Sequence, residues 1–182
     1  AAAPARARAL GSARAGPASR RRRASASRAV FLAAVEAAAR EGIVTPAVEN
    51  IIEANTLLSG LGFENCGVSG AHGVHDALTI LEPVHHFFHG EKVAFGILCL
   101  LVLENRPPAE FAEAARFCHD IGLPTRLADL GLADVTDADL LRVGEEAMKP
   151  TNVIHSVHRP LTARGIAHAI RTADRLAGQI LT

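Results

Sequence analysis

Apolar residues recur along the chain at intervals of three and four, the spacing that places them on one face of a helix. The pattern is clear after Thr45 and Pro46, where Val48, Ile51 and Ile52 share a face. Threonine suits the residue that caps a helix N-terminus. Proline suits the first helical position, because it has no N–H group to leave unpaired there. The pattern therefore predicts a helix that begins at Pro46.

Similar patterns predict helices along the rest of the chain. The predicted segments are 30–40, 69–81, 91–104, 109–121, a helix that begins at Thr136, and 162–180. Apolar residues cover nearly the whole circumference of segment 91–104, which predicts a helix in the middle of a bundle. Because few residues alternate with a period of two, a large sheet is not expected. The predicted fold class is all-α, a helical bundle.

Two glycines interrupt the helix predicted from Pro46. Gly60 and Gly62 form a G-x-G pair, but such glycines bind phosphate only between a strand and a helix. Here they follow a helical pattern, and no strand is predicted before them. We therefore interpret Gly60 and Gly62 as a turn.

Length and composition limit the class of protein. The chain has 182 residues, of which 49% are hydrophobic, and this is enough for one sizeable core. Its three cysteines form no C-x-x-C pair, so neither a disulfide framework nor a zinc ribbon is indicated. The longest strongly apolar stretch, Val93 to Leu103, is shorter than the roughly 20 residues of a membrane-spanning helix. No membrane partner is expected.

Residues 1–28 differ in composition from the remainder. They contain eight arginines and no acidic residue, whereas residues 29–182 contain 11 basic and 19 acidic residues. The first segment is rich in Ala, Arg and Ser and poor in large apolar side chains, so we expect it to be a disordered leader. The predicted organisation is this leader over 1–28 and a helical domain, with candidate metal-binding histidines, over 29–182.

Three interpretations of the leader stay open. Arginine and serine without acidic residues are typical of an organelle transit peptide, which would place the protein in an organelle; otherwise a cytoplasmic location is expected. The run Arg20 to Arg23 is equally typical of a nucleic-acid or nuclear-targeting patch. The third interpretation is that the leader has no role. Since the remainder is acidic and has no basic stripe interleaved with aromatic residues, we expect no nucleic-acid partner.

Five of the nine histidines lie between positions 72 and 89. A neutral imidazole is the commonest protein ligand for a transition metal. His72 and His75 are three residues apart and so leave the same face of a helix. Pro83 should end that helix, and His89 stands at the start of the next one, where the positive helix end favours the neutral ring. The first hypothesis is a metal site; the alternative is that these histidines are solvated and unbound.

Four short motifs carry a resemblance to a known family. They are IEAN, SGLGFE, AHGVH and HGEKVAFG, all within residues 44–104. From about residue 40 to 180 the chain resembles the C-terminal helical domain of glycerol dehydrogenases, members of the iron-type alcohol dehydrogenase superfamily with a dehydroquinate synthase-like fold. The resemblance implies a metal-dependent, NAD-linked oxidation of glycerol, or of a similar small polyol, to dihydroxyacetone. It implies Zn²⁺ or another divalent metal as the second cofactor.

The resemblance also implies roles for individual histidines. In the family an aspartate and two histidines hold the metal, and the two histidines correspond to His72 and His89. His75 then becomes a neighbour of the metal and the candidate catalytic residue, which lines the alcohol pocket or relays a proton. The alternative for His75 is a packed, hydrogen-bonded histidine. His85 and His86 are interpreted as loop residues.

The chain departs from the family pattern before residue 28. The resemblance would place the nucleotide-binding domain and the aspartate ligand there, but the arginine-rich leader occupies those positions. We therefore expect two of the three ligands and no NAD site. Asp76, on the same helical face as His72, is interpreted as an unpaired surface residue. The alternative function is a catalytically silent helical metal- or protein-binding remnant, and the expected partner is a second copy of the chain or a separate nucleotide-binding chain.

Overall fold

The computed structural model describes residues 34–181, and within this range every regular element is helical. The leader predicted over 1–28 and the first part of the helix predicted over 30–40 lie outside the described residues. The chain divides into two units, the first ending at Leu61 and the second beginning at Gly62. Each unit is described by itself below.

The first unit contains a short helix and most of a long one. Residues 34–40 form the described part of helix α1, which a left-handed turn at Gly42 follows, with φ of 65°. Helix α2 spans Pro46–Cys66, and the backbone N–H of Val48 donates to the Thr45 hydroxyl across 3.3 Å. The predicted cap and start of this helix are confirmed.

The turn predicted at Gly60 and Gly62 is wrong, because α2 continues through both glycines and ends at Cys66. Neither glycine has a positive φ, so neither residue turns the backbone. The helix stops one residue before Gly67, whose φ of 66° is the left-handed conformation that favours glycine.

The second unit continues with five α-helices and three short 3₁₀ helices. The α-helices are α3 (Gly70–Leu78), α4 (His89–Leu103), α5 (Pro108–Asp120), α6 (Asp137–Ala147) and α7 (Ala163–Leu181). The 3₁₀ helices are Glu82–His86, Ala128–Leu130 and Val153–Ser156. Helix α3 ends at Leu78, earlier than the predicted residue 81, and Pro83 lies in the first 3₁₀ helix. The predicted all-α fold class is confirmed for residues 34–181.

Helix α4 lies at the centre of the second unit, as its apolar circumference predicted. It packs against α3, α5 and α7. Phe95 and Leu98 of α4 and Ile166 and Ile170 of α7 are completely buried. Burying one side chain of this size stabilises the folded state by about 1.5–3 kcal/mol. This core fixes the positions of the helices that carry the histidines.

Helix α6 begins where its sequence predicted. The Thr136 hydroxyl accepts from the backbone N–H of Asp139 at 3.1 Å, and the Asp139 carboxylate accepts from the Thr136 N–H at 3.2 Å. These two reciprocal bonds form a capping box. The Thr136 hydroxyl also donates to Asp139 Oδ2 at 2.6 Å, and this bond, with the bond from the Thr136 N–H and the nearby Arg142, lowers the pKa of Asp139 below its usual value.

Along residues 34–181, the structure contains no helix that is both long and apolar enough to cross a bilayer. The three cysteines are all free: Cys66 is exposed, whereas Cys99 and Cys118 are buried. Burial raises the pKa of the Cys99 thiol, and it does the same for Cys118. Both buried thiols are therefore unreactive in the folded protein.

Candidate metal centre

A close backbone contact sets the spacing between α3 and α4. A Cβ atom built on Gly96 of α4 would overlap the carbonyl oxygen of Ala71 in α3. Only glycine permits this approach, so the two helix backbones touch one residue away from His72. The contact places the N-terminal half of α3 beside the beginning of α4.

A second contact fixes the other side of α3. The Asn152 side chain donates from Nδ2 to the carbonyl oxygen of Gly73 at 3.2 Å and accepts from the backbone N–H of Ile154 at 2.7 Å. A Cβ atom on Gly73 would lie 2.6 Å from the Ile154 nitrogen. Helix α3 is thus held between α4 and the Val153–Ser156 segment, which leaves its histidines little freedom to shift.

His72 and His89 meet across the α3–α4 contact. Their ring centroids are 5.3 Å apart and the ring planes are inclined by 40°. Two imidazoles that bind one tetrahedral zinc ion, with zinc–nitrogen bonds of about 2.0–2.1 Å, have centroids about 5 Å apart. The pair predicted from the sequence is therefore brought to a separation at which both rings fit one divalent ion.

His89 is the first residue of α4 and is exposed. The turn before it is fixed, because the backbone N–H of Phe88 donates to Glu91 Oε2 at 2.6 Å. His89 thus presents an accessible imidazole on a defined backbone.

His75 packs behind this pair. Its side chain is buried, and its ring contacts that of His89 edge to face at a centroid separation of 4.5 Å. His75 Nδ1 is hydrogen bonded to the Asp76 carboxylate at 2.8 Å. Since a carboxylate only accepts, Nδ1 carries the proton and Nε2 is left without one. The structure thus places His75 beside His89; its position next to a metal and its catalytic role stay predictions.

Asp76 does not match the interpretation made from the sequence. We interpreted it as unpaired, but its carboxylate, half exposed, is bonded to His75. Adjacent positions on a helix point in different directions, so the sequence spacing gave no reason to expect this pair. The bond forms because the buried His75 ring lies close to the surface edge at which Asp76 emerges.

Burial governs the protonation of the two α3 histidines. It lowers the pKa of His72 below the usual 6.5, and the nearby His89 lowers it further, while Asp76 opposes both effects. Burial also lowers the pKa of His75, against the opposing hydrogen bond to Asp76. Both rings are neutral near pH 7, the form in which an imidazole binds metal.

A third protein ligand does not join the pair within residues 34–181. No group of three or more His, Cys, Asp or Glu side chains in this range has the arrangement that a metal ion needs. His85 lies in the Glu82–His86 3₁₀ helix and bonds through Nε2 to the carbonyl oxygen of Thr79 at 2.7 Å. The loop interpretation of His85 and His86 is thus wrong, since both belong to this short helix.

Comparisons with known proteins point to one group of relatives. No family model matches the chain. A glycerol dehydrogenase of Thermotoga maritima is 48% identical over 135 residues, which are 74% of this chain and 37% of that protein. The crystal structure of a probable glycerol dehydrogenase from Sinorhizobium meliloti 1021 is 56% identical with a TM-score of 0.76, over 80% of this chain and 42% of that one. The crystal structure of glycerol dehydrogenase from Schizosaccharomyces pombe is 39% identical with a TM-score of 0.78. This match covers 89% of this chain and 41% of that one.

The fold and these relatives define the class: the described part of the chain is similar in sequence and fold to part of the glycerol dehydrogenases. More specifically, the chain is a homologue of the glycerol dehydrogenases. It spans 37% to 42% of the length of the three relatives named above.

Proposed function

We propose that this chain is the helical, metal-holding part of an enzyme that oxidises glycerol, or a similar small polyol, to dihydroxyacetone with NAD. The observation that carries the proposal is the 5.3 Å separation of the His72 and His89 rings in a chain 48% identical to a glycerol dehydrogenase. Two imidazoles, of which that of His89 is exposed, suit Zn²⁺ or another divalent transition metal. We assign His72 and His89 as ligands.

The chemistry of alcohol oxidation gives each residue a task. The substrate hydroxyl must lose a proton and the neighbouring carbon a hydride. A bound divalent metal supplies a Lewis acid that makes the hydroxyl proton easier to remove. His72 and His89 hold positions for that ion on two helices locked together by the Ala71–Gly96 contact. The two imidazoles leave coordination positions open, as a catalytic metal requires.

His75 is our candidate for handling the hydroxyl proton. Asp76 keeps Nδ1 protonated, so Nε2 is the atom able to accept a proton. The same carboxylate stabilises the ring once it is charged, as in other histidine–carboxylate pairs. The alternative role, a packed histidine that orients His89 through the edge-to-face contact, makes no use of Nε2. A solvent isotope effect or pH profile of the reaction separates the two.

The described residues do not fit NAD. Dinucleotides bind where a strand runs through a glycine-rich turn into a helix, and residues 34–181 contain no strand. We therefore derive no hydride step from this chain's residues. The partner we propose is a nucleotide-binding chain or a second copy of this chain, and the predicted compartment, cytoplasm or organelle, stays a prediction.

A second candidate function is a catalytically silent helical remnant that binds metal or protein. It is favoured by the two-donor site, because no third ligand joins His72 and His89 within residues 34–181. Purified full chain, supplied with glycerol, NAD and Zn²⁺, separates the two candidates by NADH absorbance. NADH formation that depends on both His72 and His89 supports the enzyme. Zinc binding without NADH formation, alone and with a nucleotide-binding partner chain, supports the remnant.

A further inference from the structure

A surface groove lies between α6 and α7, and it shares no residue with the histidine pair. Its volume is about 470 Å³, within the range of roughly 300–1,000 Å³ that is usual for small-molecule sites. The buried side chains of Leu140 and Ala167 are part of its lining. Electrostatic interactions strengthen beside such apolar surface, because less water screens them.

Four nitrogen-bearing side chains follow one face of α7 along this groove. Arg164, His168, Arg171 and Arg175 are separated by four, three and four residues, which places them in a row along the helix. All four line the groove. Arg164, His168 and Arg175 are exposed and form no hydrogen bond or ion pair with any described residue.

Arg171 is fixed at the middle of the row. It donates from Nε and Nη2 to Asp137 Oδ1 at 3.1 and 3.0 Å, and from Nη2 to the carbonyl oxygen of Val135 at 2.8 Å. These contacts use one end of the guanidinium and leave the two N–H groups of Nη1 for a ligand. A donor held in place before binding loses less entropy on binding.

The groove concentrates positive charge in an acidic region of the chain. Among the described residues that line it, Asp137 is the single acid, against three arginines. Residues 29–182 as a whole carry more acidic than basic side chains. A local excess of arginines that face open space, rather than carboxylates, indicates an anionic ligand.

We propose that this groove binds an oligophosphate, a linear chain of linked phosphates that lies along α7. From Arg164 to Arg175 the row extends about 16 Å at a rise of about 1.5 Å per residue. A single phosphate can contact only one side chain of the row and its neighbour, whereas a chain of three or more phosphates can contact several side chains along the row. Guanidinium groups bind phosphate oxygens through paired N–H donors, and the Thr172 hydroxyl adds a further donor at the same wall.

Two features favour a phosphate chain over other polyanions. Within the described part of the chain, no Phe, Tyr or Trp lines the groove and His168 is its single aromatic ring, so successive nucleic-acid bases would not find successive rings on which to stack. The forked guanidinium geometry also matches tetrahedral phosphate oxygens on several sides, while peptide carboxylates are spaced by a backbone that needs contacts of its own. This inference does not depend on the proposed dehydrogenase function.

Calorimetric titration of the full chain with inorganic tripolyphosphate tests the proposal. We expect binding at one site that weakens with added salt, and about a tenfold loss of affinity for each of Arg164→Gln and Arg175→Gln. Both arginines are exposed and unpaired within residues 34–181, so their replacement leaves the fold intact, as circular dichroism will check. Arg116→Gln, an exposed arginine of α5 outside the groove, is the matched control and should bind unchanged.

Asp137→Asn should change the affinity for tripolyphosphate in the opposite direction. It removes the negative charge from the groove but keeps a side-chain oxygen that can hold Arg171 in place, so tripolyphosphate affinity should rise. Equal affinity for tripolyphosphate and single phosphate would overturn the proposal. Equal losses in the Arg116 control, or tighter binding of an oligoglutamate peptide than of tripolyphosphate, would overturn it as well. ADP, which has only two phosphates, should bind more weakly than tripolyphosphate, and equal affinity for the two would overturn the proposed preference for a longer phosphate chain.

Discussion

The buried carboxylate of Asp174 in α7 accepts a hydrogen bond from the backbone N–H of Leu127, across 2.9 Å and 47 residues of sequence. Arg126, adjacent in sequence, lies 3.6 Å from the same oxygen. The contact ties the loop after α5 to the last helix. A single side chain thus satisfies a buried backbone donor that no helix or turn could reach.

Replacement of Asp174 should be costly. In Asp174→Ala the Leu127 N–H loses its partner, and we expect the free energy of unfolding to fall by about 1–3 kcal/mol. Asp174→Asn keeps an acceptor oxygen and should lose less. Urea unfolding measures both variants. Asp134→Ala, at an exposed position, serves as the control, and a loss there as large as at Asp174 would contradict this account.

The contact between Gly96 of α4 and Ala71 of α3 leads to a second prediction. Gly96→Ala forces a Cβ atom against the Ala71 carbonyl, so the helices must separate, at a cost of about 1–3 kcal/mol. The matched control is Gly60→Ala in α2, where a Cβ atom meets nothing within 4 Å. There alanine should stabilise the protein by about 0.5–1 kcal/mol. Thermal unfolding of the two variants should shift in opposite directions, and shifts of the same sign would refute the contact.

Removing either proposed ligand should release zinc. Loss of an outer-shell partner of a metal ligand costs about 10–100-fold in affinity, so His72→Ala and His89→Ala should cost at least as much. His119→Ala, an exposed histidine of α5, is the control for a general loss of imidazole. Isothermal titration with Zn²⁺ measures each. If His75→Ala abolished binding while His72→Ala did not, the ligand assignment on α3 would be wrong.

The lowered pKa values of His72 and His75 predict a dependence of stability on pH. Above the unfolded-state pKa of 6.5 both states are neutral and stability is highest. As the pH falls below 6.5 the unfolded chain takes up protons that the folded protein does not, so the free energy of unfolding decreases. The free energy of unfolding stops decreasing once the pH has fallen below the lowered pKa values of His72 and His75 in the folded protein. Urea unfolding midpoints at pH 7.5 and pH 5.5 measure this decrease. In His75→Gln the midpoint should depend less on pH. An unchanged dependence on pH in this variant would contradict the role of burial.

Local signals in the sequence were enough for the capped helix start at Thr136. Thr136 and Asp139 specify a capping box from four adjacent residues, and the structure forms it. The narrowing of the candidate ligands to His72 and His89 came from the family resemblance, and their role as ligands stays a prediction. The cap depends on residues that are close in sequence, whereas the approach of the two rings depends on how α3 packs against α4.

Long-range contacts were beyond the sequence pattern. Nothing marks Gly96 as the partner of Ala71, or Asn152 as the partner of Gly73, because helix packing decides which backbones touch. The α7 row was visible as a spacing of arginines, but the groove needs α6 as its second wall. Gly60 and Gly62 suggested a turn where the structure has a helix, because glycine lowers the stability of a helix without necessarily ending it.

The Ala71–Gly96 contact means that main-chain atoms, rather than adjustable side chains, decide how far apart the two imidazoles stand. A redesign of the surface of α3 and α4 that keeps position 96 without a side chain should therefore keep the separation of the two rings. Conversely, a single methyl group added at position 96 would change the separation of the two rings, although His89 lies seven residues away.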